Sequence, residues 1–388
     1  MTEQLATLIS FLMELNSLVH SSCFSKDFLA SLHNLDKRQT RLLLRTIWPA
    51  LELADSNLYG DRYKCFFSYV SAELSPLRHD KVDFAVQNFN GVRDVMLVIY
   101  EQRMQSRRQI LEAVKKDYLN CDDGAILRSI ELTIRICVTI NIQSSDISLG
   151  PVKSNTVPIQ WEDGATLEEL IRAQFISSEN VVLGHKDYMI EPRFTAALLA
   201  SLASIKIEWT DNLAEHLQYN RNRRAVKIYE HKICLIHHLE AATSIIPQDV
   251  LTEAIDTLNL LFPFDGQETR DFLRQHGKDF YKIAHHGRIR LLDLRDYNYW
   301  RQQLLELIEA SNEPAHSWWQ LLKDSRNKVQ YWTFWIAVIV LIFTLFDLVC
   351  GLFSSIYTYR QFELARMQAC SMDPVPPALK AKFCRKLI

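Results

Sequence analysis

Four histidines, His216, His231, His237 and His238, fall within 23 residues, and Asp211, Glu215, Glu230 and Glu240 are interspersed among them. Imidazoles and carboxylates at this density suit two kinds of chemistry. A metal ion needs three or four such groups at one locus, which a helix supplies at spacings of three or four. His237 and Glu240 have that spacing, but the paired-histidine pattern of zinc proteases is absent. A hydrolase needs a nucleophile, a base within hydrogen-bond reach of it, and a carboxylate that orients the base. Asp211 with His216 or His231 offers the last two, with Thr210 or Ser204 as hydroxyl, yet no nucleophile-elbow pattern occurs. Asp211 has a plainer role as N-cap of a helix over Asn212–Leu217. No catalytic, cofactor-binding or metal-ligating residue is assigned on this basis, and the chain leans away from being an enzyme.

A second cluster is basic. Arg221, Arg223, Arg224 and Lys227 lie between Tyr219 and Tyr229, the alternation of cations and aromatics from which phospholipid- and nucleic-acid-binding grooves are built. Asn220 and Asn222 favour a solvated hairpin turn instead. Bulk charge does not argue for nucleic acid: 44 Lys and Arg stand against 46 Asp and Glu.

The elements that must position these residues are mostly helical. Leu5, Leu8, Ile9, Leu12, Leu15 and Val19 recur at helical spacing, as do Leu42, Leu43, Ile47 and Leu51 up to the bend imposed by Pro49. Val92–Lys116 reads as one amphipathic helix. From Ile130 to Ile142 every even position is apolar and the odd ones are polar except Cys137, which predicts a long strand, with a helix as competitor. Short strands are expected at Val157–Trp161, Ile205–Trp209 and Ala225–Tyr229. Thr166 and Glu169 form a capping box for a helix through Phe175, and further helices are read at Lys232–Ala242, from Pro247 to Phe262, at Gln267–Ile283 and at Leu291–Ala310. Trp300, Leu304, Leu307 and Ile308 line one face that either docks onto the globule or lies in a bilayer interface.

The plainest signal is at the other end. Of the 22 residues from Trp332 to Phe353, 18 are apolar. As a helix they span about 33 Å, enough for a hydrocarbon core of about 30 Å. Fourteen of them are Ile, Leu, Val or Phe, contributing about −4 to −8 kcal/mol towards insertion. Asp347 opposes this by less than about 3.5 kcal/mol, because it is displaced from the centre. It reads as an interfacial carboxylate reached by snorkelling, with a hydrogen-bonded helix pair, and hence a homo-oligomer, as the alternative. Tyr331, Trp332 and Trp335 on one side and Tyr357 and Tyr359 on the other are interfacial aromatics.

Orientation rests on less. Lys323, Arg326 and Lys328 precede the segment and Arg360 and Arg366 follow it, while Lys380, Lys382, Arg385 and Lys386 add basic charge to the tail. With no secretory leader recognised, the large N-terminal part is expected in the cytosol and the short C-terminal part across the membrane. A re-entrant hairpin broken at Asp347 and Gly351 is the lesser alternative. Eight scattered cysteines without a two-residue gap are expected to be buried thiols of a reducing compartment.

Ile159-Gln160-Trp161, Trp209-Thr210-Asp211-Asn212-Leu213, Tyr229-Glu230-His231-Lys232, Tyr299-Trp300-Arg301 and Trp332-Thr333-Phe334-Trp335 together resemble a group of uncharacterised fungal proteins. These share a cytosolic region and one C-terminal transmembrane helix. The resemblance runs from about residue 125 to 350 and implies a fungal, membrane-anchored protein. It transfers no activity and no site residue. The expected fold is α+β and mainly helical, with a small sheet and one C-terminal transmembrane helix. Its parts are a helical region 1–120, a mixed domain 121–285, membrane-proximal helices 286–330, a transmembrane helix 331–357 and a basic tail 358–388. The expected role is to recruit a protein partner to a membrane surface.

Overall fold

A computed structural model describes residues 37–48, 51, 60–79, 83–144, 157–177, 189–241, 244–278, 280, 283, 286–288, 290–313 and 328–371. The apolar stripe of Leu5 to Val19 and the tail beyond 371 lie outside them. The chain divides into two units, Met1–Glu313 and Pro314–Ile388. The first is mainly helical with small sheets; the second contains one long apolar helix.

The core of the first unit is built around a helix that hides its own identity in sequence. The residues expected to form a strand belong to helix α5 (Asp123–Val138), preceded by α1 (Lys37–Ile47), α2 (Lys64–Glu73), α3 (Phe89–Glu101) and α4 (Arg107–Lys115). Asp122 caps it, accepting the N–H of Ala125, and Thr139 ends it in a left-handed conformation at φ 53°. From Ser129 to Val138 every residue is buried. A helix covered on all sides has no polar stripe, so the alternation of apolar and polar residues lost its meaning as a strand signal.

The polar odd positions are paired instead. Arg135 Nε lies 2.9 Å from Glu73 Oε2 in α2, the Thr133 hydroxyl donates to the Ser129 carbonyl, and Glu131 accepts the N–H of Ser144. Last-turn carbonyls are taken as well: the Tyr69 hydroxyl donates to the Arg135 carbonyl at 2.7 Å, and His238 Nε2 to that of Cys137 at 2.7 Å. The Arg135 carbonyl also accepts the N–H of Thr139, and His238 spares that of Cys137 from burial without a donor.

Val92–Lys116 is likewise not one helix but two. Ser106 and Gln109 form a capping box that restarts the chain as α4. The box at Thr166 and Glu169 opens α6 (Leu167–Arg172) as expected. Helix α7 (Ala196–Ser201) leads into the larger sheet, whose strands are β3 (Lys206–Thr210), β4 (Tyr219–Asn220) and β5 (Ala225–Tyr229). The order is β3-β5-β4, with β3 and β5 parallel and β4 antiparallel to β5. A second, two-stranded parallel sheet pairs β1 (Ile142–Gln143) with β2 (Ile159–Gln160).

Helices α8 (Lys232–Glu240), α9 (Gln248–Leu261), α10 (Gln267–Gln275) and α11 (Arg301–Asn312) complete the unit. Helix α10 stops short of Ile283 because Gly277 adopts φ +64° and Lys278 N–H returns to the Leu273 carbonyl. Helix α11 begins ten residues later than Leu291, where the Glu253 carboxylate accepts the N–H groups of Asn298, Tyr299 and Trp300. Trp300, Leu304 and Leu307 are buried in the globule, so this face docks rather than meeting lipid.

In the second unit α12 (Lys328–Ser371) is continuous over 44 residues. It therefore passes well beyond the expected end at residue 357. Its large apolar side chains, among them Ile336, Leu341, Phe346 and Leu352, are exposed. Cys350 is a thiol, but Cys370 is disulfide-bonded, against the expectation of thiols throughout.

Breaking the α2–α5 ion pair from one side leaves a buried charge. Arg135→Met is expected to destabilise the protein by about 3–5 kcal/mol in denaturant unfolding, and adding Glu73→Leu to recover most of the loss.

Candidate functional site

The parallel pairing of β3 and β5 decides which polar groups meet. Their register ends with Thr210 opposite Tyr229, so the next residues, Asp211 and Glu230, leave the same sheet edge together. His231 follows and stands at the N-cap position of α8, where its side chain makes no capping hydrogen bond. Its Nε2 lies 2.8 Å from Asp211 Oδ1 and 3.7 Å from Glu230 Oε1.

The imidazole is wholly buried, with the rings of Tyr69, Tyr229 and Phe66 around it at 5.1, 5.7 and 6.0 Å. Nδ1 has no hydrogen-bond partner among the described residues. The neutral ring therefore carries its proton on Nε2, donated to Asp211, because a buried N–H without an acceptor costs more than a bare acceptor nitrogen. Lys278 closes the group: its ammonium pairs with Glu230 and lies 5.2 Å from the Trp209 ring centroid.

These groups open onto a cavity of about 520 Å³. Helix α2 and the residues just before it contribute Arg62, Lys64, Cys65 and Tyr69, the segment beyond α10 contributes Lys278, and Phe280 and Ile283 add an apolar wall. None of Cys65, Lys278 or the arginines was singled out in sequence. They stand far from residues 211–231, and nothing local marks them as neighbours.

Of the residues proposed for a hydrolase, the fold unites Asp211 and His231 and sends His216 elsewhere. His216 Nε2 meets Thr257 Oγ1 at 2.8 Å, its Nδ1 accepts the N–H of Tyr229, and Trp300 packs on it. With both nitrogens engaged it has none for a substrate. The Asp211–His231 pair is also not arranged to activate a hydroxyl, since the second nitrogen faces no nucleophile among the described residues. The expected N-cap is displaced too. Asn212, not Asp211, accepts the N–H of Ala214, and the Asn212–Leu217 helix is a single 3-10 turn, Leu213–Glu215. The carboxylate of Asp211 goes to His231 instead.

The remaining histidines are core residues: His237 meets Tyr63 Oη at 3.1 Å, and His238 caps α5. Asp211, Glu230 and His231 place one ligand atom each within 4.8 Å of one another. Such a trio suits a divalent cation. Here the Lys278 ammonium already supplies positive charge on the Glu230 arm.

The basic stretch forms the turn that its asparagines suggested, with Asn220 Oδ1 accepting the N–H of Arg223. Two of its cations are structural. Arg224 pairs with Glu313 at 2.6 Å and Lys227 with Glu215 at 2.8 Å. Half of the charge that would attract phosphate is thus neutralised within the fold.

Burial pushes the imidazole of His216 down to about 3 and that of His238 down to about 4, and lowers His237 as well. Each folded value lies below the ordinary one, so the unfolded chain binds the extra protons. Stability should be full above about pH 6.5 and fall below it, by about 1.4 kcal/mol per pH unit for His216 and as much again for His238. Urea midpoints of the full chain in detergent between pH 7 and 4.5 measure this, and His216→Gln should flatten the slope by one histidine's share. Comparison of the chain with protein-family models, curated proteins and solved structures finds no match.

Proposed function

We propose that this chain is a membrane-anchored interaction protein, tethered by α12, whose large N-terminal unit recruits a protein partner to a membrane surface from the cytosolic side. The observation that carries the reading is the long helix of the second unit. Tyr331–Ser371 is 41 residues long and apolar enough to cross a membrane, and none of its apolar window is buried. Left in water, that surface would be an aggregation site; in a bilayer it is matched to its solvent.

A helix of this length spans about 60 Å, twice the hydrocarbon thickness. The stretch from Trp332 to Phe353 accounts for the crossing, and the turns beyond Tyr357 and Tyr359 carry Arg360, Glu363 and Arg366 into water. The cysteines support the orientation. Cys65, Cys121, Cys137 and Cys234 of the first unit are thiols, whereas Cys370, beyond the crossing, is disulfide-bonded. Thiols belong to the reducing side of a membrane and disulfides to the oxidising side. The hydrolase alternative keeps its Asp211–His231 pair but has no hydroxyl on the second His231 nitrogen among the described residues.

Alkaline carbonate should leave the full chain in the membrane pellet and release a version ending at Val329; full-length protein in the supernatant would overturn the anchor. In sealed vesicles with the cytosolic face outward, an impermeant maleimide should reach Cys65 or Cys121 directly. Cys370 should label only after permeabilisation and reduction, and the reverse pattern would invert the topology. Crosslinking in membranes should give a protein adduct that the Val329 truncation loses.

A further inference from the structure

We propose that the cavity at the carboxyl ends of β3 and β5 binds a phosphate monoester, held by Arg62, Lys64, Arg274 and Lys278 beside the first turn of α8. The location comes from topology. Loops leaving the carboxyl ends of adjacent parallel strands form the crevice where open α/β sheets hold ligands. Here β3 and β5 end in register and Asp211 and Glu230 follow them directly into the cavity wall.

Charge then selects the ligand. Among the described residues the lining holds Arg62, Lys64, Lys232, Arg274 and Lys278 against two carboxylates, Asp211 and Glu230. Glu230 is engaged by Lys278, and Asp211 by His231. Lys232 is turned to Asn259 Oδ1 at 2.7 Å, and burial lowers it to about 8. Arg274 also touches Asp271 at 3.2 Å on its exposed side. The surplus is positive, and arginine forks with lysine point charges suit a dianion with three acceptor oxygens better than a single carboxylate.

Two further features fit an ester rather than a bare ion. Helix α8 has nine residues and no side chain capping its start, and Lys232 and Ile233 of its first turn line the cavity. Their end of the helix dipole favours an anion. Phe66, Tyr69, Phe280 and Ile283 supply an apolar wall, and about 520 Å³ exceeds the need of a phosphate alone. In the same wall His231, wholly buried, keeps Nδ1 without a partner among the described residues.

A phosphate monoester can be a soluble metabolite or the headgroup of a phosphorylated lipid, and the experiment separates them. Cys65 is a half-buried thiol in the cavity lining, so its alkylation, located by mass spectrometry, reports occupancy. The full chain is reconstituted in phosphatidylcholine vesicles and alkylated with inorganic phosphate, with glucose 6-phosphate, or with phosphatidylinositol 4-phosphate in the bilayer. We expect at least about fivefold slower labelling of Cys65 with one of the two esters, weakened by salt. Titration calorimetry with the same ester should lose at least about tenfold in affinity on Lys64→Glu or Arg274→Glu, both exposed and expected to leave the thermal midpoint unchanged. Protection by the sugar phosphate identifies a soluble ligand, and protection only by the lipid identifies a headgroup. No protection by either ester, protection that survives both charge reversals, or protection by Mn²⁺ alone would overturn the proposal. Loss of membrane anchoring would leave it standing, because every described residue of the cavity lining belongs to the first unit.

Discussion

Burial of α5 on all sides from Ser129 to Val138 is the constraint on which the rest of the first unit depends. A helical stretch with no solvent-facing side must satisfy every polar group within the protein. Arg135 is met by Glu73 of α2 and the last carbonyls by Tyr69 and His238. Two of the partners come from α2 and one from α8, so the helix fixes α2 and α8 around itself. Beyond its end, Thr139 accepts or donates at 2.6 Å to the hydroxyl of Tyr229, and its carbonyl takes the N–H of Leu213. The last residue of β5 is thereby tied to the core helix, one residue before Glu230. Such pairs are worth little against well-packed apolar residues, but a missing partner is costly.

From that anchor follows the difference among the histidines. His216, His237 and His238 sit among apolar and aromatic neighbours with their nitrogens engaged, and burial holds them neutral. They are hydrogen-bonding core residues. His231 is equally buried, yet it stands at the edge where strands end and a helix begins, so its one engaged nitrogen faces carboxylates and the residue borders a cavity. Position at a strand end, not residue type, separates the candidate site from the core.

Helices α5 and α12 are both rich in Ile, Leu and Val, and their surroundings are opposite. Helix α5 is shorter, carries Glu131 and Arg135, and has protein partners for them. Helix α12 is almost three times as long, and between Trp332 and Phe353 its only ionisable carboxylate is Asp347. Most of its apolar side chains there are exposed. A protein core can absorb the first because it offers counter-charges; the second is long and apolar enough to cross a bilayer.

Much of this was legible in residue order where the signal is local. The apolar run of α12, the capping box at Thr166 and Glu169, strands β3 and β5 and the helix stop at Pro263 all depend on neighbours a few residues apart. Composition divides the same way: without residues 331–388 the charge is 38 Lys and Arg against 43 Asp and Glu, so near-neutrality is the sum of an acidic globule and a basic end. Residue order alone also put Asp211, Glu230 and His231 in one short list. Only tertiary structure decided that Ile130–Ile142 is mostly helix, because a helix buried all round leaves no polar face to read. It alone decided that Asp211 turns to His231 rather than capping a helix, and that Lys278, Cys65 and Arg62 share their cavity. Those outcomes follow from strand register and from burial that must pair charges across the chain, and neither is written in the spacing of adjacent residues.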